Sequence, residues 1–232
     1  MEVTRDLEFE RYILDKIRKR EFQERTGIHC SDLIYCLNKQ AIRRILNTPS
    51  EDDEVLLFSL GWSTQRWLSG RIEDEPEVEV DGIKVTLDAL YLDCPWELKA
   101  SYQGSERDVT ENLPWVKQLM AQCYACGTPD YASEHYTARL SRFEIMGNWK
   151  WVFGKKEEKL LAKRPTLSAW RFQFTRQEVV NNWLWLLDRA ELFKGILATK
   201  VLLPKAIAMY SGTEWQCQYC KSPELCEKGV IE

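Results

Sequence analysis

The sequence predicts an α/β chain, and three observations carry that prediction. Apolar residues recur every three to four positions in several stretches, they alternate with polar residues in others, and an Asp-Gly pair sits where an alternating stretch must turn back. A chain of 232 residues, 44% of them apolar, buries roughly 70–75% of its unfolded surface and builds a core without disulfides.

Residues 6–24 read as a helix, with Phe9, Ile13 and Ile17 on one face. Ser31 is the expected N-cap of a second helix, from Asp32 to about Leu46, striped by Leu33, Leu37, Ala41 and Ile45. An acidic loop, Glu51 to Glu54, precedes a third helical stretch around Phe58–Leu68. The period then changes to two. Val78 and Val80, the Asp81-Gly82 turn, and Ile83, Val85, Leu87 and Ala89 predict a hairpin. Trp96 to Ala100 is a further strand, 111–126 a helix, and 131–154 two strands broken near Gly147. Thr175 and Glu178 form a capping box that opens a long amphipathic helix ending near Thr199. No linker or internal repeat divides the chain, so the expectation is one domain over 1–232. It would comprise a helical arm (1–70), a sheet (75–154) and a helix with a C-terminal segment (170–232).

Composition narrows the function classes. With 32 Lys+Arg against 36 Asp+Glu the formal charge is −4, so nucleic-acid contact needs a local basic strip rather than bulk attraction. The first residues contain no apolar leader, and no stretch approaches the ~18 apolar residues of a membrane span. A cytoplasmic location without membrane contact is expected. Eight cysteines in a reducing compartment point to metal binding rather than disulfides. With His29 and His135 the sole histidines, no Ser/His/Asp or Cys/His nucleophile can be assembled.

Glu97 and Lys99 alternate with Leu98 on one strand and therefore share a face. If the strand ending at Asp88 is its neighbour, Asp88 and Glu97 converge, and two carboxylates ~4 Å apart repel by about 4 kcal/mol at an effective dielectric of 20. A hard divalent ion, Mg²⁺ or Mn²⁺, relieves that repulsion and keeps positions open for water and phosphate oxygens. Lys99 is then placed to orient water or to neutralise charge on a phosphate.

The pattern Asp88-x8-Glu97-x-Lys99, preceded by a hairpin and followed by a helix bearing Gln118, resembles the PD-(D/E)xK nuclease superfamily in its RecB-like branch. The resemblance implies a restriction-endonuclease-like core, a central mixed sheet flanked by helices. It also implies that Asp88, Glu97 and the Leu98 carbonyl hold the metal, with Lys99 and Gln118 assisting catalysis. Cys36, in Ser31-Asp-Leu-Ile-Tyr-Cys36, and the trio Cys217, Cys220 and Cys226 resemble the cluster ligands of the iron–sulfur members. Those are the exonucleases tied to CRISPR adaptation (the Cas-four family) and their phage relatives. Two positions depart from the pattern. Gln65 stands where these nucleases carry His in Gly-x-x-x-His, and Gln122 stands where they often carry Tyr. The amide oxygen of Gln65 remains a possible metal ligand.

Cys₄ ligation by Cys36, Cys217, Cys220 and Cys226 suits a [4Fe–4S] or [2Fe–2S] cluster and equally a structural zinc. The resemblance implies iron–sulfur, with the cluster joining the N-terminal arm to the C-terminal segment. Cys30 is the rival ligand, and Cys94, Cys123 and Cys126 read as small buried apolar residues. Lys16, Arg18, Lys19 and Arg20, then Lys39, Arg43 and Arg44, then Lys155, Lys156, Lys163 and Arg164 are the cations available for phosphates, with Lys39, Arg43 and Arg44 the expected DNA contacts. The expected activity is a metal-dependent DNA exonuclease acting on single strands or frayed ends in CRISPR adaptation or recombination. The alternatives are a nuclease-fold DNA-binding partner with weakened cleavage and a zinc-stapled structural protein.

Overall fold

The computed structural model describes residues 4–22, 26–70, 76–103, 108–126, 135–146, 149–153 and 159–231. It is an α/β structure of mixed sheets flanked by helices. Gly147, Lys155 and Lys156 lie outside the described residues.

Helix α1 (Leu7–Glu21) opens on an Asp6 N-cap. The expected second helix is two: α2 (Cys30–Ile34) and α3 (Leu37–Ile45). The break falls at Tyr35 and Cys36, both extended, and its cause is non-local. The Arg189 guanidinium takes the Leu33 and Tyr35 carbonyls, and the Cys36 N–H donates to Gln216 Oε1 at 3.1 Å instead of to a helical carbonyl. His29, not Ser31, is the N-cap of α2, its backbone N–H donating to Asp32 Oδ2 at 3.0 Å. The predicted stripe survives the break, since Leu33, Leu37 and Ala41 are buried and Ile45 packs against them.

Helix α4 (Asp52–Ser69) begins earlier than expected because the acidic run is its first turn. Carboxylates there complement the helix dipole, and Glu54 reaches back to the Glu51 N–H at 3.4 Å. Strands β2 (Glu77–Val80) and β3 (Ile83–Thr86) form the predicted hairpin, Val80 opposite Ile83. Asp81 and Gly82 both take positive φ, 51° and 76°, the type I′ geometry that matches strand twist. A short strand β1 (Ile28–His29) adds in parallel to β3.

The hairpin does not run on to Ala89. The chain leaves β3 at Thr86 and enters a second sheet as β4 (Ala89–Tyr91), antiparallel to β5 (Cys94–Gln103). Helix α5 (Leu113–Cys126) then returns the chain to β6 (His135–Met146), parallel to β5, and this crossover makes the sheet mixed. A hairpin of β7 (Trp149–Phe153) and β8 (Lys159–Lys163) follows. Strand β9 (Thr166–Thr175), absent from the expectation, closes the sheet in the order β4-β5-β6-β9.

Helix α6 (Arg176–Thr199) starts at the predicted Thr175 box. It packs on α2, α3 and α5, and Trp183, Leu186, Phe193 and Ile196 are its largest fully buried side chains. Beyond it lie α7 (Lys205–Ala208) and α8 (Pro223–Lys228), linked by a 3-10 turn over Glu214–Tyr219. Among the described residues no helix is long and apolar enough to cross a membrane.

The joint between the arm and the C-terminal segment is made by buried polar side chains. Arg189 is 4% exposed and donates to the carbonyls of Leu33, Tyr35, Ile207 and Ala208. Asn38 gives its Nδ2 to Leu203 O at 2.8 Å and accepts the Leu203 N–H at 3.0 Å. Removing one donor from several buried acceptors costs each its desolvation, about 1–3 kcal/mol. Arg189→Met is therefore expected to lower stability by about 3 kcal/mol or more in urea denaturation, whereas Arg164→Met, at an exposed position, stays within about 0.5 kcal/mol.

Candidate functional site

Asp88, Glu97, Lys99, Gln118 and Gln65 all line one cavity of about 890 Å³. One bend and three elements supply them. Asp88 is the bend residue between β3 and β4, where the chain changes sheets. Glu97 and Lys99 alternate on β5, Gln118 stands on α5, and Gln65 on α4. The hairpin β4–β5 turns at Leu92 and Asp93, both at positive φ. That short return brings Asp88 alongside β5, where its Oδ2 accepts the Leu98 N–H at 2.7 Å.

Glu97 has no solvent exposure and Asp88 only 6%. A carboxylate so placed needs a compensating charge and donors. Glu97 has both: it is ion-paired to Lys99 Nζ, and Gln122 Nε2 donates to its Oε2. Gln122 is itself fully buried and also donates to Thr86 O at 3.1 Å, tying the first sheet to the site. The sequence marked Gln122 only as a departure from a pattern; its place one helical turn beyond Gln118, on the same face, was the signal that it belongs here. Burial pulls the Lys99 ammonium toward its neutral form, yet Glu97 and Asp88 outweigh that and hold its pKa above the ordinary value. Lys99 also donates to Gln118 Oε1 at 3.1 Å. It is a fixed cation at the floor of the cavity, not a proton donor at neutral pH.

Gln65 behaves differently from the expectation of an oxygen ligand. Its Nε2 donates to Asp88 Oδ2 at 3.3 Å and to Leu98 O at 2.9 Å. A partially positive amide group thus bridges two of the three oxygens expected to hold a cation. The donor set of two carboxylates and one backbone carbonyl is hard and anionic, so it fits Mg²⁺ or Mn²⁺. Rotating the Gln65 amide would add its Oε1 as a fourth oxygen donor.

The cavity walls mix charges and rings. Arg20, Arg43 and Arg66 line it with the aromatic group Phe22, Phe58 and Trp62, whose ring centroids lie 5.1 to 6.4 Å apart. The three expected DNA contacts are divided. Arg43 faces this cavity, while Lys39 faces the cysteines. Arg44 is committed to the fold, paired with Asp32 at 2.8 Å and donating to Gly27 O at 2.7 Å, which removes it from that role. Two further residues line the cavity, one of them Cys30, the rival cluster ligand of the sequence reading. Buried Cys30 lines this cavity rather than joining the other thiols, and burial drives its pKa well up. His29 is 5% exposed, with one ring nitrogen 3.1 Å from Thr26 O and the other 3.4 Å from Glu77.

Cys36, Cys217, Cys220 and Cys226 border a second, smaller cavity of about 120 Å³, between the start of α3 and the C-terminal segment. The expected cluster joint is not shown. Among the described residues no group of three or more His, Cys, Asp or Glu side chains is arranged to hold a metal ion. Two of the thiols have other neighbours: Cys217 Sγ lies 3.7 Å from Met209 Sδ, and Cys226 Sγ accepts from Asn38 Nδ2 at 3.5 Å. The joint is held by Arg189, Asn38 and Gln216 instead. Cys123 and Cys126 are thiols that burial pushes up to about 12 and about 11, as inert structural cysteines require.

No family model and no curated protein matches this chain. Among solved structures it is similar to one described as "Crystal structure of SSO0001", with a TM-score of 0.50 and 14% identity. That match covers 97% of this chain and 98% of the other. A likeness at that identity shows a shared α/β fold and nothing of chemistry.

Lys99 is the cation that makes the burial of Glu97 tolerable, so Lys99→Met strands a buried carboxylate and should cost about 3–5 kcal/mol at pH 8. The raised value of Lys99 means its contribution is fully present below about 10.4 and is lost only as pH rises through the still higher folded value. The wild-type contribution is therefore flat from pH 5 to 8. Urea midpoints of wild type and Lys99→Met compared at pH 8 measure the loss.

Proposed function

We propose that this protein is a divalent-metal-dependent DNA exonuclease that hydrolyses phosphodiester bonds in single-stranded or frayed DNA. The observation that carries this reading is the convergence at one cavity of Asp88, from the bend before β4, with Glu97 and Lys99 of β5, with Gln118 and Gln65 beside them. A cavity lined by Arg20 and Arg43 together with the Phe22, Phe58 and Trp62 rings suits a strand whose phosphates pair with guanidinium groups and whose unpaired bases stack, while Arg66 is committed to Glu21. A Mg²⁺ or Mn²⁺ ion held by Asp88, Glu97 and the Leu98 carbonyl supplies Lewis-acid polarisation of a phosphate and an activated water.

The chain's own residues do the rest. Glu97 presents its carboxylate at a fixed angle because Gln122 and Lys99 hold it. Gln118 steers the Lys99 ammonium, which stays charged and so stabilises negative charge developing on a phosphate oxygen. The Leu98 N–H holds the Asp88 carboxylate and fixes its direction. In the same reading Cys36, Cys217, Cys220 and Cys226 hold a [4Fe–4S] or [2Fe–2S] cluster in the second cavity, away from the chemistry, and the setting is CRISPR adaptation or recombination.

A second reading, a DNA-binding partner with weakened cleavage, is favoured by the Gln65 amide lying between Asp88 and Leu98 O. Degradation of an end-labelled single strand with Mn²⁺ separates the two. Lys99→Ala and Asp88→Asn should each slow it by roughly 10²–10³-fold; equal rates in wild type and variants remove the nuclease assignment. Strand binding with no metal-stimulated cleavage selects the second reading. Anaerobically purified protein should absorb near ~400 nm and lose that band in Cys220→Ser; a colourless preparation containing zinc rejects the cluster.

A further inference from the structure

Tyr35 stands where an unbroken helix would not put it. In the single helix that the apolar stripe predicts, each residue turns the chain by about 100°, so Tyr35 would sit roughly 200° from Leu33, on the face away from the core. In the structure the chain is extended at this residue, with φ −93° and ψ −173°, and Tyr35 lines the large cavity together with Glu97, Lys99 and Gln118. The redirection takes three backbone groups out of the helix ladder. Buried Arg189 donates to the Leu33 and Tyr35 carbonyls, and Gln216 accepts the Cys36 N–H.

Core packing does not account for this placement. Tyr35 is half-buried, yet its ring belongs to neither hydrophobic cluster of the described residues. Among those residues its hydroxyl has no hydrogen-bond partner. The polar groups on the cavity floor are already engaged with one another. Glu97 is held by Lys99 and Gln122, Lys99 also donates to Gln118, and Asp88 accepts from the Leu98 N–H and Gln65. The Tyr35 phenol is therefore a donor fixed at the cavity wall by the backbone and uncommitted to the fold.

We propose that Tyr35 is a substrate-contacting residue of this site, its phenolic O–H donating to a non-bridging phosphate oxygen of a bound DNA strand. The proposal rests on the reading of this cavity as the seat of a strand, and it applies to the cleaving and the binding-only form alike. Electrostatics make phosphate the acceptor. Burial opposes the charge on Lys99, Glu97 and Asp88 restore it, and the Tyr35 phenol lies within electrostatic reach of the same ammonium. A phosphate drawn to that fixed cation therefore meets the phenol as well. A hydroxyl bonded to an ionised oxygen belongs to the stronger class of hydrogen bonds, and it adds direction without another buried charge to compensate.

Tyr35→Phe in the full chain tests it, because the substitution keeps the ring and removes the O–H alone. Affinity for a fluorescent oligothymidylate, measured without divalent metal, should fall about tenfold, the worth of one hydrogen bond to a charged group. The slope of log affinity against log salt should stay that of the wild type, since no cation leaves the interface. The urea midpoint should not move. With Mn²⁺, kcat/KM for an end-labelled strand should drop by at least the same factor. A wild type that binds the strand without cleaving it, with Tyr35→Phe binding tenfold more weakly, removes the nuclease reading and leaves Tyr35 in place. Metal-dependent cleavage with Tyr35→Phe equal to wild type in affinity and kcat/KM does the reverse. A wild type that binds no strand overturns both. Weakened binding that comes with a lowered urea midpoint assigns Tyr35 to the fold and overturns the proposal.

Discussion

A carboxylate with no access to water organises this molecule. Glu97 is 0% exposed on the central strand β5, and a lone ion so placed would cost several kcal/mol. Its neutralisation dictates the surroundings: Lys99 two residues along the same strand, Gln122 from α5, and, through Gln122, the carbonyl of Thr86 in the other sheet. The polar network therefore fixes how α5 and the β2–β3 hairpin sit against β5. Packing alone could have accommodated small shifts of these elements; a buried charge with directional partners does not. The same rigidity gives the site its chemical potential, since its groups are already oriented before any ligand arrives.

Much of the architecture was legible because it rests on local signals. The Asp81-Gly82 turn requires two residues at positive φ, and the Thr175/Glu178 box satisfies helix N–H groups within four residues, so both can be read from the chain. The Asp88, Glu97 and Lys99 constellation was legible for a related reason: a period of two puts Glu97 and Lys99 on one face regardless of the rest of the fold. Strand β9 is equally local, with Trp170, Phe172 and Phe174 alternating before the capping box.

What escaped for physical reasons depends on distant partners. The break between α2 and α3 lies within a continuous apolar stripe, and nothing nearby announces it. Its carbonyls are satisfied by Arg189 and the Cys36 N–H by Gln216, at sequence separations of 154 to 180 residues. The roles of Arg44 and Cys30 were hidden in the same way, because Arg44 turns inward to Asp32 and Cys30 inward to the large cavity. Cysteine spacing identified four thiols that border one small cavity, yet it could not say that buried Arg, Asn and Gln side chains would make the joint there.

In the proposed reading, the orientation of the Gln65 amide sets the balance between cleaving DNA and merely binding it. As placed, Gln65 gives two hydrogen bonds to oxygens that the proposed chemistry assigns to a cation. One of these goes to a carboxylate, so together they are worth about 3 kcal/mol. Displacing the amide outright would weaken metal affinity by about two decades at 1.4 kcal/mol per tenfold. Rotation of the same side chain would reverse part of that penalty, because it would present the Gln65 Oε1 in place of the amide NH₂ to a bound cation. An imidazole at position 65 would approach the ion with a nitrogen lone pair without first surrendering a pair of bonds to the other ligands. In the proposed reading Gln65 would therefore raise the metal concentration at which activity begins, while Glu97, Lys99 and Gln122 keep the positions they hold here.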